Sequence, residues 1–347
     1  MQGPVCPIPL RHDEQVVLGH GSGGSMTHNL VRNLFYAAFD NGPLLAGDDS
    51  AMLDWPEDGR LAVTTDSHIV SPLFFPGGDI GRLAVCGTVN DLAMVGAKPL
   101  GLTAGFILEE GLPMVKLQAV IESMRLAATE AGIRIVAGDT KVVERGKGDG
   151  VFINTSGIGW VPFGREISGR NAQAGDVVLL TGPIGDHGIA VLVARGGLAL
   201  ESDVLSDVAP LNLLVESLLS TVPDVHVLRD PTRGGVATAL NEIARQSSVA
   251  IQLDEAAIPV NPSVESACEL LGLDPLYVAN EGKLVAVVAA EDAEAVLAAM
   301  RAHPLGVDAA RIGAVTEDPH HFVQMATRFG GRRVVDWLTG EQLPRIC

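Results

Sequence analysis

DIGRLAVCGTVNDLAMVGAKP, from Asp79 to Pro99, is followed at once by LGLTAGFILEE, from Leu100 to Glu110. The first stretch predicts a helix stopped by Gly96 and Pro99, the second a strand. Upstream, RLAVTTDSHIV (Arg60–Val70) has strand character broken by the polar Thr64, Thr65 and Asp66. Downstream, a helix is expected over Pro113–Gly132, then strands IRIVAGDTKVV (Ile133–Val143) and VFINTSGIGWV (Val151–Val161). Strands, helices and returning strands alternate, so this half is α/β (α+β) with a mixed or antiparallel sheet.

Further out, GHGSGG (Gly19–Gly24) forms a loop just before helical spacing over Thr27–Phe39. GDDSAML (Gly47–Leu53) is short and strand-like at its end. Composition resets at the polar connector SGRNAQAGD (Ser168–Asp176), before the strand VVLLTG. Helices are then expected at APLNLLVESLLS (Ala209–Ser220), VATALNEIARQS (Val236–Ser247) and EDAEAVLAAMRAH (Glu291–His303), with a strand at KLVAVVA (Lys283–Ala289). The expected organisation is a Gly-rich loop and helix over 1–43, an α/β domain over 44–167, a second α/β domain over 168–334, and a mobile tail over 335–347.

A chain of 347 residues exceeds one small core, so two domains are the natural expectation. The formal charge of -18 disfavours nucleic acid and anionic membrane as partners. It still admits a nucleotide, because carboxylates holding a divalent cation bridge acidic protein to phosphate. Cys6, Cys86, Cys268 and Cys347 have neither CxxC nor zinc-like spacing. No stretch has a signal peptide's or membrane span's pattern, so a reducing cytoplasm is expected.

Chemistry is expected at Asp48, Asp49, Asp66, Asp91, Asp139 and Asp230, each placed beside a strand end, Gly-rich turn or helix start. A lone Asp there is an ordinary cap or turn residue. Their repeated company with small or hydroxyl residues, in GDDSA, TTDS, VND, GDTK and DPTRGG, shifts the set towards metal and nucleotide. Gly21, Gly23 and Gly24 of GHGSGG admit close phosphate approach, although no GKS or GKT follows. Asp230–Gly235, with Arg233, offers an anion site at a helix start. Lys141 is a phosphate ligand, a carboxamide-orienting group or, if buried, a base; Glu281 is a base or a local ion-pair partner of Lys283 or of arginine side chains. The scattered histidines, His187 among them, are expected to be structural. A tail ending in Cys347 can carry a thiol roughly 20 Å from Gly340.

GHGSGG, GDDSA, the run from Thr64 to Pro99, FILEEG, IVAGDTKVV, DPTRGG, ANEGK and PRIC together resemble the hydrogenase expression/formation protein E family. That family lies within the aminoimidazole ribonucleotide synthetase-like superfamily, and the similarity runs from Gly19 to Cys347. The resemblance implies a two-domain fold whose N-terminal sheet pairs across a homodimer, with ATP and Mg²⁺ in a cleft near the interface. It implies that a carbamoyltransferase loads Cys347, that ATP drives dehydration of the thiocarboxamide to a thiocyanate, and that an iron-bearing scaffold complex accepts the cyanide for nickel–iron hydrogenase. Lys141 and Glu281 become candidate bases beside the carrier Cys347. Asp49, Asp66, Asp91, Asp139 and Asp230 become phosphate or metal residues, with metal assigned to Asp49, Asp66, Asp91 and Asp230. The alternatives are an ATP-dependent synthetase or kinase acting on a diffusible metabolite, and a non-enzymatic maturation scaffold.

Overall fold

The computed structural model describes residues 14–45, 50–56, 58–196, 203–338, 343 and 345–347. Asp48, Asp49 and Cys6 lie outside the described residues.

The chain enters through α1 (Ser25–Leu30), a π-helical segment (Val31–Tyr36), α2 (Ala37–Phe39) and α3 (Gly42–Leu45). Then follow β1 (Gly59–His68), the short pair β2 (Phe74–Phe75) and β3 (Gly78–Asp79), α4 (Ile80–Met94), β4 (Lys98–Glu109), α5 (Met114–Ala131), β5 (Ile135–Val143) and β6 (Val151–Pro162). The sheet order is β1-β6-β4-β5; β4 and β5 run parallel, the other pairs antiparallel. This is the mixed sheet that the sequence predicts. Ala51–Leu53, however, adds no strand. Instead, Leu53 lies close enough over Gly101 for a Cβ there to meet its Cδ1 at 3.2 Å.

The carboxylate of Asp79 caps α4 by accepting from the amides of Gly81 (2.7 Å) and Arg82 (3.1 Å). Almost every residue of α4 is buried, so it carries no polar face. It is pressed between the inner face of this sheet, α5 and the second domain. The opposite face of the sheet leaves Leu61, Val63 and Ile107 exposed.

The second domain holds β7 (Val177–Leu180), α6 (Asp186–Ala194), α7 (Asn212–Thr221), β8 (Val227–Arg229), α8 (Gly235–Ser247), β9 (Ala250–Asp254), α9 (Pro262–Leu271), β10 (Val285–Val288), α10 (Ala293–Arg301), β11 (Ala310–Thr316), β12 (Val323–Ala326) and β13 (Arg332–Val334). Its sheet order is β13-β12-β9-β11-β7-β10-β8. One face packs on α8 and the other on α7 and α10, which is why its central strands are apolar throughout. Among the described residues no helix is long and apolar enough to cross a membrane.

Candidate active site

Alternation along β1 sends Thr64 and Asp66 to the same side, towards α4. Thr64 Oγ1 donates to Asp91 Oδ2 at 2.7 Å, and a Cβ on Gly87 of α4 would lie 3.1 Å from Asp66 Oδ2. Asp91 is therefore delivered from the late body of α4, not from a helix start. The preceding residue, Asn90, is buried and crosses to the second domain. It donates to the carbonyls of Ala209 (3.1 Å) and Glu281 (3.2 Å) and accepts from Leu211 N (2.7 Å).

Asp230 and Arg233 follow β8 in the turn into α8. Buried Asn280 locks that turn to the loop carrying Glu281: its amide group donates to the Pro231 carbonyl at 2.9 Å, and its own N–H does so at 3.2 Å. Gly282 makes a close approach possible, since a Cβ there would collide with the Asp207 carbonyl. Asp207 accepts from Glu281 N at 3.0 Å and pairs with Lys283 at 3.2 Å. Lys283 is thus taken by Asp207, so an ion pair between Lys283 and Glu281 does not form.

These constraints gather like charges. Desolvation, then Asp91 beside it, push the Asp230 carboxyl up to about 7. Burial also raises Asp91, while its Thr64 hydrogen bond and Arg229 and Arg233 hold it back. Glu281 is raised well above the usual carboxylate range by burial, then by Asp230, Asp207 and Asp66. Its Oε1 is buried without a hydrogen-bond partner. The Cys347 thiol lies against this carboxyl and is shifted upward, first by burial and then by the charge of Glu281.

Two hollows meet here. One, of about 600 Å³, is lined by Thr64, Asp91, Arg229, Asp230 and Arg233. The other, of about 440 Å³, holds Ser67, Arg233, Tyr277, Arg345 and Cys347. Arg233 lines both. The larger hollow falls in the size range of small-ligand sites.

Two regions of the chain match models of the AIR synthase related protein family, the N-terminal domain over residues 47–161 and the C-terminal domain over 173–326. Carbamoyl dehydratase HypE of Cupriavidus necator is 62% identical over 333 residues, covering 96% of this chain and 95% of the relative. The chain belongs to the HypE family. A solved HypE in complex with ATP has a TM-score of 0.92 and 52% identity, covering 95% of this chain and 99% of that one. A solved HypE–HypF complex matches with a TM-score of 0.78 and 52% identity, covering 89% and 99%.

Within this HypE-family chain, the expected site residues fall into two groups. Asp66, Asp91, Asp230, Arg233, Glu281 and Cys347 converge. Asp139 and Lys141 do not join them: both are exposed on β5 and pair with each other at 2.7 Å. Asp139 sits in the middle of the strand rather than at its end. Lys141 is also without the burial that would favour its use as a base. Gly21 packs beside them, where a Cβ would meet Val142 N at 2.6 Å. Gly23 N donates to Thr27 Oγ1 at 2.9 Å, and Gly24 caps α1. β5 and β1 are opposite edges of the sheet, three strand spacings or roughly 14 Å apart.

No group of three or more His, Cys, Asp or Glu side chains among the described residues is positioned to hold a metal alone. The chemistry of the donor set still fits a divalent cation shared with phosphates: Asp91 and Asp230 repel each other beside Arg229 and Arg233. Sequence reasoning did not single out Asn90, Asp207 or Arg229. Their signal was adjacency to Asp91, Asp230 and the ANEGK loop, which says nothing about contacts across domains.

Proposed function

We infer that the protein is an ATP-dependent carbamoyl dehydratase that turns the S-carboxamide of Cys347 into a thiocyanate. The thiocyanate is the cyanide source for the iron of nickel–iron hydrogenase. One observation carries this reading: the Cys347 thiol rests against the buried Glu281 carboxyl, whose Oε1 has no hydrogen-bond partner, in a hollow joined by Arg233 to a carboxylate-lined hollow of nucleotide size.

The chemistry explains the arrangement. A carboxamide oxygen is a poor leaving group, so it attacks the γ-phosphorus of ATP and expels ADP. The resulting O-phosphoryl imidate loses its N–H protons and phosphate, leaving C≡N on sulfur; the elements of water depart within phosphate and a proton. Arg233 and the α8 N-terminus face the charge that develops on phosphate. Mg²⁺, held by Asp91 and Asp230 with Asp66 in support, would neutralise phosphate charge. Asp49 is proposed for the same group on motif grounds alone. Glu281, with its raised proton affinity, takes the nitrogen proton.

Lys141 calls for a second copy. The apolar outer face formed by Leu61, Val63 and Ile107 pairs two chains and brings one chain's Lys141, Asp139 and glycine loop to the other's cleft. A carbamoyltransferase of the HypF kind loads the tail, and an iron-binding scaffold complex accepts the cyanide.

Intact-protein mass spectrometry tests the reaction. The carbamoylated chain given ATP and Mg²⁺ should lose about 18 Da, the mass of the water removed. Glu281→Gln should slow that loss by roughly 10²-fold or more while retaining ATP binding. An adduct of unchanged mass in the wild type would eliminate the dehydratase; turnover of a free metabolite by Cys347→Ala would favour the synthetase alternative.

A further inference from the structure

The end of the chain is held mainly through its backbone. Ile69 N donates to the main-chain oxygen of Cys347 at 3.1 Å, and Ser71 N to that of Arg345 at 3.3 Å. Arg195 Nη2 donates to the same Arg345 oxygen at 2.8 Å, and the Arg345 guanidinium pairs with Asp149 at 2.5 Å. The Ile346 side chain is buried in the first domain's core. Its carbonyl points the other way, to Nε2 of His187 on α6, at 2.7 Å.

His187 is fully buried, and its environment fixes its tautomer. A carbonyl only accepts, so Nε2 carries the proton. Nδ1 then accepts from the Ser206 hydroxyl at 2.8 Å, and Ser206 Oγ in turn accepts from Val208 N at 3.2 Å. Burial lowers the proton affinity of the ring, in keeping with the neutral form. The edge of one ring packs on the face of the other between His187 and Phe75, with centroids 5.4 Å apart. Ser206 is followed directly by Asp207, whose carboxylate holds the Glu281 amide. One dipeptide therefore anchors both the imidazole that grips the tail and the loop that presents the base.

We propose that His187, oriented by Ser206, is a positioning residue that latches the tail at Ile346 and thereby sets the register of the Cys347 thiol against Glu281. When the tail leaves, the Nε2–H remains in a buried site without its acceptor, an unfavourable state that biases the chain towards docking. A histidine serving only the interior would be satisfied within its own domain; this one spends its donor on the last segment of the chain. The proposal deepens the dehydratase reading and rests on Cys347 being the carrier.

Iodoacetamide alkylation of Cys347 in the nucleotide-free full chain reads the docked state without the reaction. The docked thiol is half-buried, and burial and the Glu281 charge suppress its acidity, so it reacts slowly when docked and the rate rises with the undocked fraction. His187→Leu should alkylate about 5–10-fold faster, the effect of one lost buried hydrogen bond. His187→Gln, which keeps a donor, should stay near wild type, and Ser206→Ala should fall between. In the dehydration assay His187→Leu should lower kcat while leaving KM for ATP unchanged. Equal alkylation rates in wild type, His187→Leu and Ser206→Ala would overturn the latch; if His187→Leu does not fold, Ser206→Ala decides alone. A wild type that never loses water mass, with the alkylation differences intact, would sink the reaction and leave the latch standing.

Discussion

Asp230 shows what the site costs the fold. Its carboxyl titrates at about 7 in the folded chain, against 3.8 when unperturbed. The folded state therefore binds the proton more tightly than the unfolded state, and stability falls as pH rises between those values. Above pH 7 the ionised carboxylate sits beside Asp91 and Asp66 at full penalty. Asp230→Asn should accordingly raise the melting temperature, most at pH 8, with the gain shrinking through pH 6 and absent near pH 4. Calorimetric scans of both proteins across that range check this. A gain that grows on acidification would refute the sign. The same substitution should remove dehydration, a trade of stability against activity common at sites that concentrate charge. The identity of these residues was legible in their motifs, but the strength of their repulsion was not. It comes from Asn90 and Asn280 stitching α4, the DPTRGG turn and the ANEGK loop together, which are contacts between segments far apart in sequence.

Among the elements, the four strands of the first domain's main sheet were legible because they are long. β1, β4, β5 and β6 run for 9 to 12 residues, and β6 alternates buried and less buried positions along its whole length. β8 and β13, at three residues each, are too short for any period to emerge, and they carry no separate signal in the sequence. Alternation also reports that two faces exist without saying what covers each. On β1 the same period that aims Asp66 at α4 turns Leu61 and Val63 outward, 60% and 66% exposed. This is a large apolar exposure along an edge strand of the sheet, and a second copy is its proposed cover. Val63→Asp should halve the mass measured by light scattering and abolish dehydration, while the second domain keeps its helical circular dichroism. A dimer that persists in Val63→Asp would place the interface elsewhere.

The whole molecule divides its chemistry between two sides of one sheet. Cys347 is fastened at Ile69, just beyond β1, with Glu281 behind it. Lys141 stands on the opposite edge strand and projects with Asp139 into solvent. The strand spacings between them exceed what a lysine side chain spans, so within one chain the two candidate bases cannot serve the same carboxamide. In a symmetric pair, each cleft would take Glu281 and Cys347 from one copy and Lys141 from the other. Complementation distinguishes the cases. Lys141→Ala and Glu281→Gln should each be inactive alone. Co-expressed and purified through two different tags, the mixed dimer contains one cleft with an intact Glu281, Cys347 and incoming Lys141, and one cleft lacking both bases. It should therefore dehydrate at about half the wild-type rate per dimer. If both groups act within a single chain, no cleft in the mixed dimer is whole and the rate stays at the background of either variant. Recovery on mixing would therefore tie the exposed position of Lys141, unexplained by the isolated chain, to the assembly in which it works.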